Sequence, residues 1–294
     1  MVGSVQKRLE ICRYVRNMAA QSCLRTFQYA LHASKKVSEV QFRNRWFKEL
    51  TRIRNINASG WYDPPEAGFG ILFGSEKDFE RVNYSNLRQK EVWPRINTYF
   101  DKKGTGYIFA SPYALVDEIP IIGDFGFTYY LGNNDVIKNH FRKCHKLLYQ
   151  LIDEISVGTS FQKLYIHALT ELQSNGLKNN IISATDSTGT DLGHTVPFIS
   201  DNPSDKMKNA LLKADKDKIH TLISKARKFI NSKENYLIST NCAFTFEPRF
   251  VFMDGTKFPM VSFNTIVQFI KGKKVVLSNF DGLINLLDMQ WIYS

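Results

Sequence analysis

Residues 121–135 read IIGDFGFTYYLGNND, an apolar and aromatic stretch that carries two acids. The pattern predicts a strand over 119–131 that ends in a turn of glycine and asparagine. Asp124 lies within this strand, and Asp135 follows eleven residues later. Because a carboxylate on a strand is costly to bury unless it is paired or binds a cation, both acids are candidate site residues.

Two further candidates occur on later strand-like stretches. His194 lies in LGHTVP (192–197) and Glu247 in FTFEP (244–248). Three carboxylates and one imidazole are ligand types that bind manganese, iron, zinc or cobalt. A structural role remains an alternative for each residue. Asp124 could be a turn residue, and Asp135 could cap a helix. His194 and Glu247 could be a core histidine and a strand-end acid.

The rest of the chain alternates helical and strand-like patterns, which indicates an α+β fold. Apolar spacing predicts helices over 5–31, 39–53, 136–155 and 160–174, and one or two lysine-rich helices within 203–231. Strand patterns cover 67–73, 106–111, 241–253, 259–270 and 273–277. Residues 75–103 are polar, and their pattern predicts neither a helix nor a strand.

In this order and setting, the motifs resemble the pita-bread superfamily of methionine aminopeptidases, prolidases and creatinases, from about residue 5 to the end. The resemblance implies one domain over 1–294, an antiparallel curved sheet flanked by helix pairs, and a helical insertion at 203–235. The matching motifs are Asp124-x-Gly126 with Asp135, His194 to Pro197, Phe244 to Pro248 and the last strand, Phe263 to Val267.

By this resemblance, four of five metal-ligand positions are kept and one is lost. The fifth position, a bridging glutamate in the family, falls on Phe263, whose phenyl ring cannot bind a metal. The kept positions are Asp124, Asp135, His194 and Glu247. The resemblance therefore implies one divalent cation rather than two, with Glu247 and His194 as catalytic residues.

The leading hypothesis is a divergent, metallopeptidase-like hydrolase or lyase that acts on a small amide or amino-acid-like molecule or a short peptide. One alternative is an ordinary dinuclear metalloaminopeptidase, in which Asn264 would be the nearest substitute for the missing ligand. Another is a non-catalytic relative that binds a protein or a nucleic acid. A homodimer is also plausible for this family.

The composition argues against a membrane protein, a cysteine-based metal site and a nucleic-acid partner. The chain has 294 residues, of which 43% are hydrophobic, and it contains no apolar run long enough for a membrane helix. Its four cysteines show no metal-binding spacing, which is typical of a reduced, cytoplasmic protein. The net charge is +11, but the lysine-rich stretches are spread out like solvated helix faces, so we expect neither a membrane nor a nucleic-acid partner.

Overall fold

The computed structural model describes residues 2–200 and 203–294, with side chains from residue 5 onward in the first range. Within these ranges the chain forms seven α-helices and ten strands. The helices are α1 (Val2–His32), α2 (Glu39–Thr51), α3 (Asp135–Glu154), α4 (Phe161–Ser174), α5 (Asp205–Leu212), α6 (Lys216–Ala226) and α7 (Asp281–Leu286). The strands are β1 (Phe69–Gly74), β2 (Thr105–Ala110), β3 (Tyr113–Val116), β4 (Ile119–Ile122), β5 (Phe125–Tyr130), β6 (Leu177–Asn179), β7 (Cys242–Phe246), β8 (Arg249–Phe252), β9 (Val261–Ile270) and β10 (Lys273–Leu277).

Eight of the strands form one antiparallel sheet, and β3 and β4 form a separate hairpin. The main path of the sheet runs β1-β2-β5-β9-β8-β6, and β7 and β10 also pair with β9. Strand β9 pairs with four others because it is long enough to hold different partners along its ten residues. The predicted antiparallel α+β architecture is confirmed.

The helices follow the periodicity of their apolar residues. The predicted apolar face of α1 is buried throughout, at Leu9, Cys12, Val15, Ala19, Cys23, Phe27 and Ala30. Helix α1 packs on α2, α7 and the β3–β4 hairpin, so it lies across one side of the molecule. The predicted capping box of α2 forms: Gln41 N donates to Ser38 Oγ (3.2 Å), and Ser38 N donates to Gln41 Oε1 (2.9 Å).

The structure differs from the predicted elements in three places. Prediction missed the short strands β3 and β6, because three or four residues carry little periodicity. The predicted strand 119–131 is two strands, β4 and β5, with Asp124 between them. The predicted strand 241–253 is also two strands, β7 and β8, with Glu247 and Pro248 between them. The one or two lysine-rich helices predicted within 203–231 are a pair, α5 and α6.

Each of the four cysteine thiols is free and buried. Across residues 2–200 and 203–294, we find no helix that combines the length and the apolar character needed to span a bilayer.

Candidate functional site

Three of the four predicted site residues meet in one buried cavity. His194 Nε2 lies 3.7 Å from Asp124 Oδ2 and 3.8 Å from Glu247 Oε1. The side chains of Asp124 and His194 are only 1% and 6% exposed. The cavity has a volume of about 60 Å³, which is room for only a few water molecules.

Strand β7 positions His194. The backbone N–H of His194 donates to Thr245 Oγ1 (2.9 Å), and Thr245 N donates to the His194 carbonyl (2.8 Å). Residue 193 must be glycine, because its φ is +133° and a Cβ there would clash with the Thr245 carbonyl. This close approach of two backbones brings the imidazole beside Glu247.

The tautomer of His194 follows from its hydrogen bond. Nδ1 lies 3.0 Å from the Thr195 carbonyl, which can only accept, so Nδ1–H donates and neutral His194 has its lone pair on Nε2. Burial, reinforced by Arg227, lowers the pKa of His194 well below its usual value. The imidazole is therefore neutral, with an acceptor nitrogen directed between the two carboxyl groups.

Asp124 is held where β4 passes into β5. Trp61 Nε1 donates to Asp124 Oδ1 (2.8 Å), which leaves Oδ2 on the His194 side. Burial raises the pKa of Asp124 to about 8, against the opposing effect of the Trp61 hydrogen bond. The surrounding protein groups therefore do not fully offset the cost of burying Asp124 in its ionised form.

Glu247 accepts hydrogen bonds on both oxygens. Thr245 Oγ1 donates to Oε1 (3.1 Å), and Asn264 Nδ2 donates to Oε2 (2.5 Å). Burial raises the pKa of Glu247, partly offset by Arg249. The residue of β9 that contacts the site is thus Asn264, whereas Phe263 is fully buried in the core.

Asp135 does not lie with these three residues and does not line their cavity. It is an exposed first residue of α3, and strand β5, which separates it from Asp124, spans about 20 Å. Asn134 is the helix cap, because its side chain accepts from Val136 N and Ile137 N. Asp135 instead places a negative charge at the positive end of the helix.

Three charged residues that the sequence did not single out also line the cavity: Asp191, Arg227 and Arg249. Arg227 lies between the rings of Trp61 (4.5 Å) and Phe229 (4.7 Å), and Arg249 stacks on Tyr84 (4.4 Å). Arg227 follows α6, within the lysine-rich stretch interpreted as solvated. No local pattern marks it as a cavity residue, because two of its partners, Trp61 and Thr185, are distant in the chain.

These charges are close but not directly paired. Among the described residues, no guanidinium nitrogen of Arg227 or Arg249 lies within 4.0 Å of a carboxylate oxygen. Burial raises the pKa of Asp191 to about 7, with Glu247 adding to the effect and Arg227 opposing it. The cavity is thus a polar, acid-rich site with two arginines on its walls.

The donor types at this site are ones that divalent cations bind. One imidazole nitrogen with a fixed lone pair and two under-compensated carboxyl groups are the ligand types such ions take. Their spacing is wider than a metal centre requires: within 2–200 and 203–294 no three histidine, cysteine, aspartate or glutamate side chains form a ready metal-binding group. Binding would have to draw Asp124, His194 and Glu247 together.

Comparison of the sequence with family models and with curated proteins finds no match. Comparison of the fold with solved structures finds clear ones. X-Pro aminopeptidase from Thermotoga maritima has a TM-score of 0.61 at 11% identity, over 93% of this chain and 61% of its own. Methionine aminopeptidase from Thermotoga maritima has a TM-score of 0.54 at 12% identity, over 90% and 96%.

A third similar structure is a domain of a protein complex rather than a named peptidase. The N-terminal domain of the FACT complex subunit SPT16 from Eremothecium gossypii has a TM-score of 0.59 at 12% identity, over 96% of this chain and 59% of its own. The chain thus spans about three fifths of the X-Pro aminopeptidase and SPT16 chains. At these identities the likeness is one of fold, and the chain has the pita-bread, metallopeptidase-like fold of the aminopeptidases and prolidases.

Proposed function

We propose that the chain is a divergent metal-dependent enzyme with one divalent cation, acting on a small amide or amino-acid-like molecule by hydrolysis or lyase-type cleavage. The observation that carries this proposal is the convergence of His194 Nε2 on Asp124 and Glu247, at 3.7 and 3.8 Å, inside one small pocket. The likeness to aminopeptidases and prolidases supports it at the level of fold.

Asp124, His194 and Glu247 would hold the cation. Such an ion polarises a substrate carbonyl or lowers the pKa of a water molecule. The protein orients two of the donors in advance: the Thr195 carbonyl holds the His194 tautomer, and Thr245 and Asn264 hold the Glu247 carboxyl group. Glu247 is the candidate proton acceptor because it lies at the less buried end of the group, 14% exposed.

The small cavity limits the substrate. A volume of about 60 Å³ accommodates only a few non-hydrogen atoms, which favours a small molecule over a long peptide. Arg227 and Arg249 line the same cavity, which favours a substrate with an anionic group. These features favour a small molecule over the substrate of an ordinary dinuclear aminopeptidase.

Metal content of the purified protein tests the proposal. We expect about one equivalent of manganese, iron, zinc or cobalt in the wild type and its loss in Glu247→Ala and His194→Ala, because each variant removes one of three donors. Elemental analysis after reconstitution and desalting measures it. Asp135→Ala is the matched control and should retain the metal, since Asp135 is exposed and outside the cavity.

Two outcomes would contradict the proposal. Two equivalents in the wild type would favour the dinuclear aminopeptidase. A wild type without metal after reconstitution would favour a protein that does not catalyse metal-dependent chemistry.

A non-catalytic binding protein is the second candidate. It is favoured by the net charge of +11 and by the likeness to the SPT16 N-terminal domain, which covers 96% of this chain. A basic protein that binds nucleic acid releases counterions, so its affinity for a duplex DNA should fall steeply between 50 and 200 mM salt, on the order of tenfold or more. Fluorescence anisotropy would detect this, and no binding at 50 mM would remove nucleic acid from consideration.

A further inference from the structure

The helix pair α1–α2 carries three arginines around one buried acid. The side chain of Glu49 on α2 is only 4% exposed. Arg25 Nε lies 2.9 Å from its Oε2, and Arg45 Nη2 and Arg52 Nη1 lie 2.9 and 3.0 Å from its Oε1. Three positive charges thus face one negative charge, which leaves a net charge of +2. We call Arg25, Arg45 and Arg52 the arginine cluster.

Glu49 orients the arginine cluster without occupying all of its donors. The three arginine side chains are 42%, 34% and 56% exposed, in chain order. Each guanidinium has five N–H donors, so the two oxygens of one carboxylate accept only a minority of them. Across residues 5–200 and 203–294, no second carboxylate lies within 4.0 Å of the cluster. The cluster therefore presents oriented, partly exposed donors to solvent.

Two exposed tyrosines extend this face along α1. Tyr14 and Tyr29 are 37% and 44% exposed, and they lie eleven residues before and four residues after Arg25. At 3.6 residues per turn these three side chains fall within about 60° around the helix axis, and the tyrosines are about 22 Å apart along it. Arg45 Cζ lies 5.0 Å from the centre of the Tyr29 ring, and Tyr14 Oη donates to the Arg54 carbonyl (3.4 Å). The face thus continues from α1 onto α2 and the residues that follow it.

The surroundings of the cluster add positive rather than negative charge. Lys48 and Arg54 are further exposed cations in the same stretch of chain. Glu10, the one acid of α1, lies fifteen residues before Arg25, about 22 Å along the helix. Like charges held close together repel one another, and a bound polyanion removes that cost. The sequence spreads these cations over residues 25–54, and only the packing of α1 on α2 gathers them.

We infer that this face of α1 and α2 binds single-stranded nucleic acid, with phosphates on the arginine cluster and bases stacked on Tyr14 and Tyr29. The inference rests on the second candidate function, nucleic-acid binding, and does not involve the cavity. Guanidinium groups match the paired oxygens of a phosphate. Tyrosine rings stack on unpaired bases, which a duplex keeps inside. An acidic protein segment offers carboxylates to the arginines but no flat rings to the tyrosines, so the face favours the nucleic acid.

Fluorescence anisotropy of a labelled single-stranded DNA of about ten nucleotides tests the inference. Arg25→Gln/Arg52→Gln removes two charges and leaves Arg45 as the partner of Glu49, so the buried acid stays paired. Lys206→Gln/Lys213→Gln is the matched control, because it removes the same charge from exposed positions in α5 and at its end. Tyr14→Leu/Tyr29→Leu removes both rings and keeps every charge.

We expect the arginine variant to bind the single strand about tenfold more weakly, or less, at about 50 mM salt. The slope of log affinity against log salt should become shallower by about 1.4, because each lost phosphate contact removes about 0.7. The lysine control should change the affinity less than about threefold, since its residues lie outside the face.

The tyrosine variant should bind the single strand about fivefold more weakly and bind a duplex of equal length like the wild type, because only unpaired bases stack on the rings. A purely electrostatic surface would not produce this difference. Thermal unfolding of each variant confirms that the compared proteins are folded.

The outcomes separate the face from the candidate function. Equal weakening by the arginine and lysine variants would overturn this face and leave nucleic-acid binding itself standing. No binding of either DNA by the wild type would overturn both. A polyglutamate peptide that competes as well as unlabelled single strand, with no effect of the tyrosine variant, would overturn the nucleic acid in favour of an acidic protein segment.

Discussion

At the scale of single residues, the orientation of Phe263 determines which residue of strand β9 contacts the site. Successive residues of a strand point to opposite faces, so Phe263 and Asn264 cannot both face the cavity. Phe263 packs against Phe127 (6.2 Å), His145 (5.4 Å) and Phe280 (5.5 Å). Its position is therefore part of the aromatic core, and the residue that contacts Glu247 is Asn264.

This geometry predicts that Phe263→Glu does not restore a metal ligand. The new carboxylate would be buried among rings without a partner, so we expect a loss of about 3–5 kcal/mol in the free energy of unfolding. Urea titration followed by circular dichroism measures it, with Phe263→Leu as the control, for which about 1–3 kcal/mol is expected. A stable Phe263→Glu protein with additional bound metal would show that this strand is placed differently.

At the scale of elements, the polar segment 75–103 is attached to the core by a buried ion pair. Glu39 on α2 is fully buried, and Arg81 Nη2 lies 2.7 Å from its Oε2. Glu39 also accepts from the backbone N–H groups of Phe73 (2.7 Å) and Arg95 (2.8 Å). Arg81 therefore attaches this segment to the core. It also lines a separate groove, outside the candidate site.

Removing Arg81 should destabilise the protein strongly. Arg81→Met leaves Glu39 buried without its ionic partner, so we expect a loss of about 3–5 kcal/mol in the free energy of unfolding. Glu66→Gln breaks the surface pair of Glu66 with Arg43 and should cost less than about 1 kcal/mol. Chemical denaturation measures both, and equal effects of the two substitutions would argue against the buried pair.

Most elements could be predicted because their signals are local. The apolar spacing of α1 and the capping box of α2 involve residues three or four apart, and both are observed. Helix α6 was also predictable, but the role of Arg227 at its end was not. The side chain reaches Trp61 and Thr185, which are distant in sequence, so no short window contains the interaction.

At the scale of the whole molecule, buried histidines should make global stability depend on pH. His140 of α3 is 3% exposed and packs on Phe252 (4.6 Å). Its Nε2 lies 3.2 Å from the Pro259 carbonyl oxygen. Burial lowers its pKa to about 4. Because this is below the value in the unfolded chain, about 6.5, the unfolded state binds more protons between these two pH values.

The contribution of His140 is therefore complete above about pH 6.5 and is lost as the pH falls towards 4, by up to about 3 kcal/mol. Urea unfolding at pH 7.5, 6.5, 5.5 and 4.5 should show a smaller loss for His140→Gln than for the wild type. The difference between the two proteins isolates His140, since the buried acids Asp124 and Asp191 titrate in both. Parallel curves for the two proteins would contradict this assignment.

The sequence by itself predicted the α+β class, most of the helices and strands, and three side chains that the structure brings together: Asp124, His194 and Glu247. These predictions follow from side-chain periodicity, caps and short motifs, which depend on neighbours along the chain. Only the tertiary structure separated Asp135 from these three residues and placed Arg227 and Asn264 beside them. Contacts such as Arg16 with Asp124 and Asn264, 108 and 248 residues apart, exist only because the strand order and α1 bring those segments together.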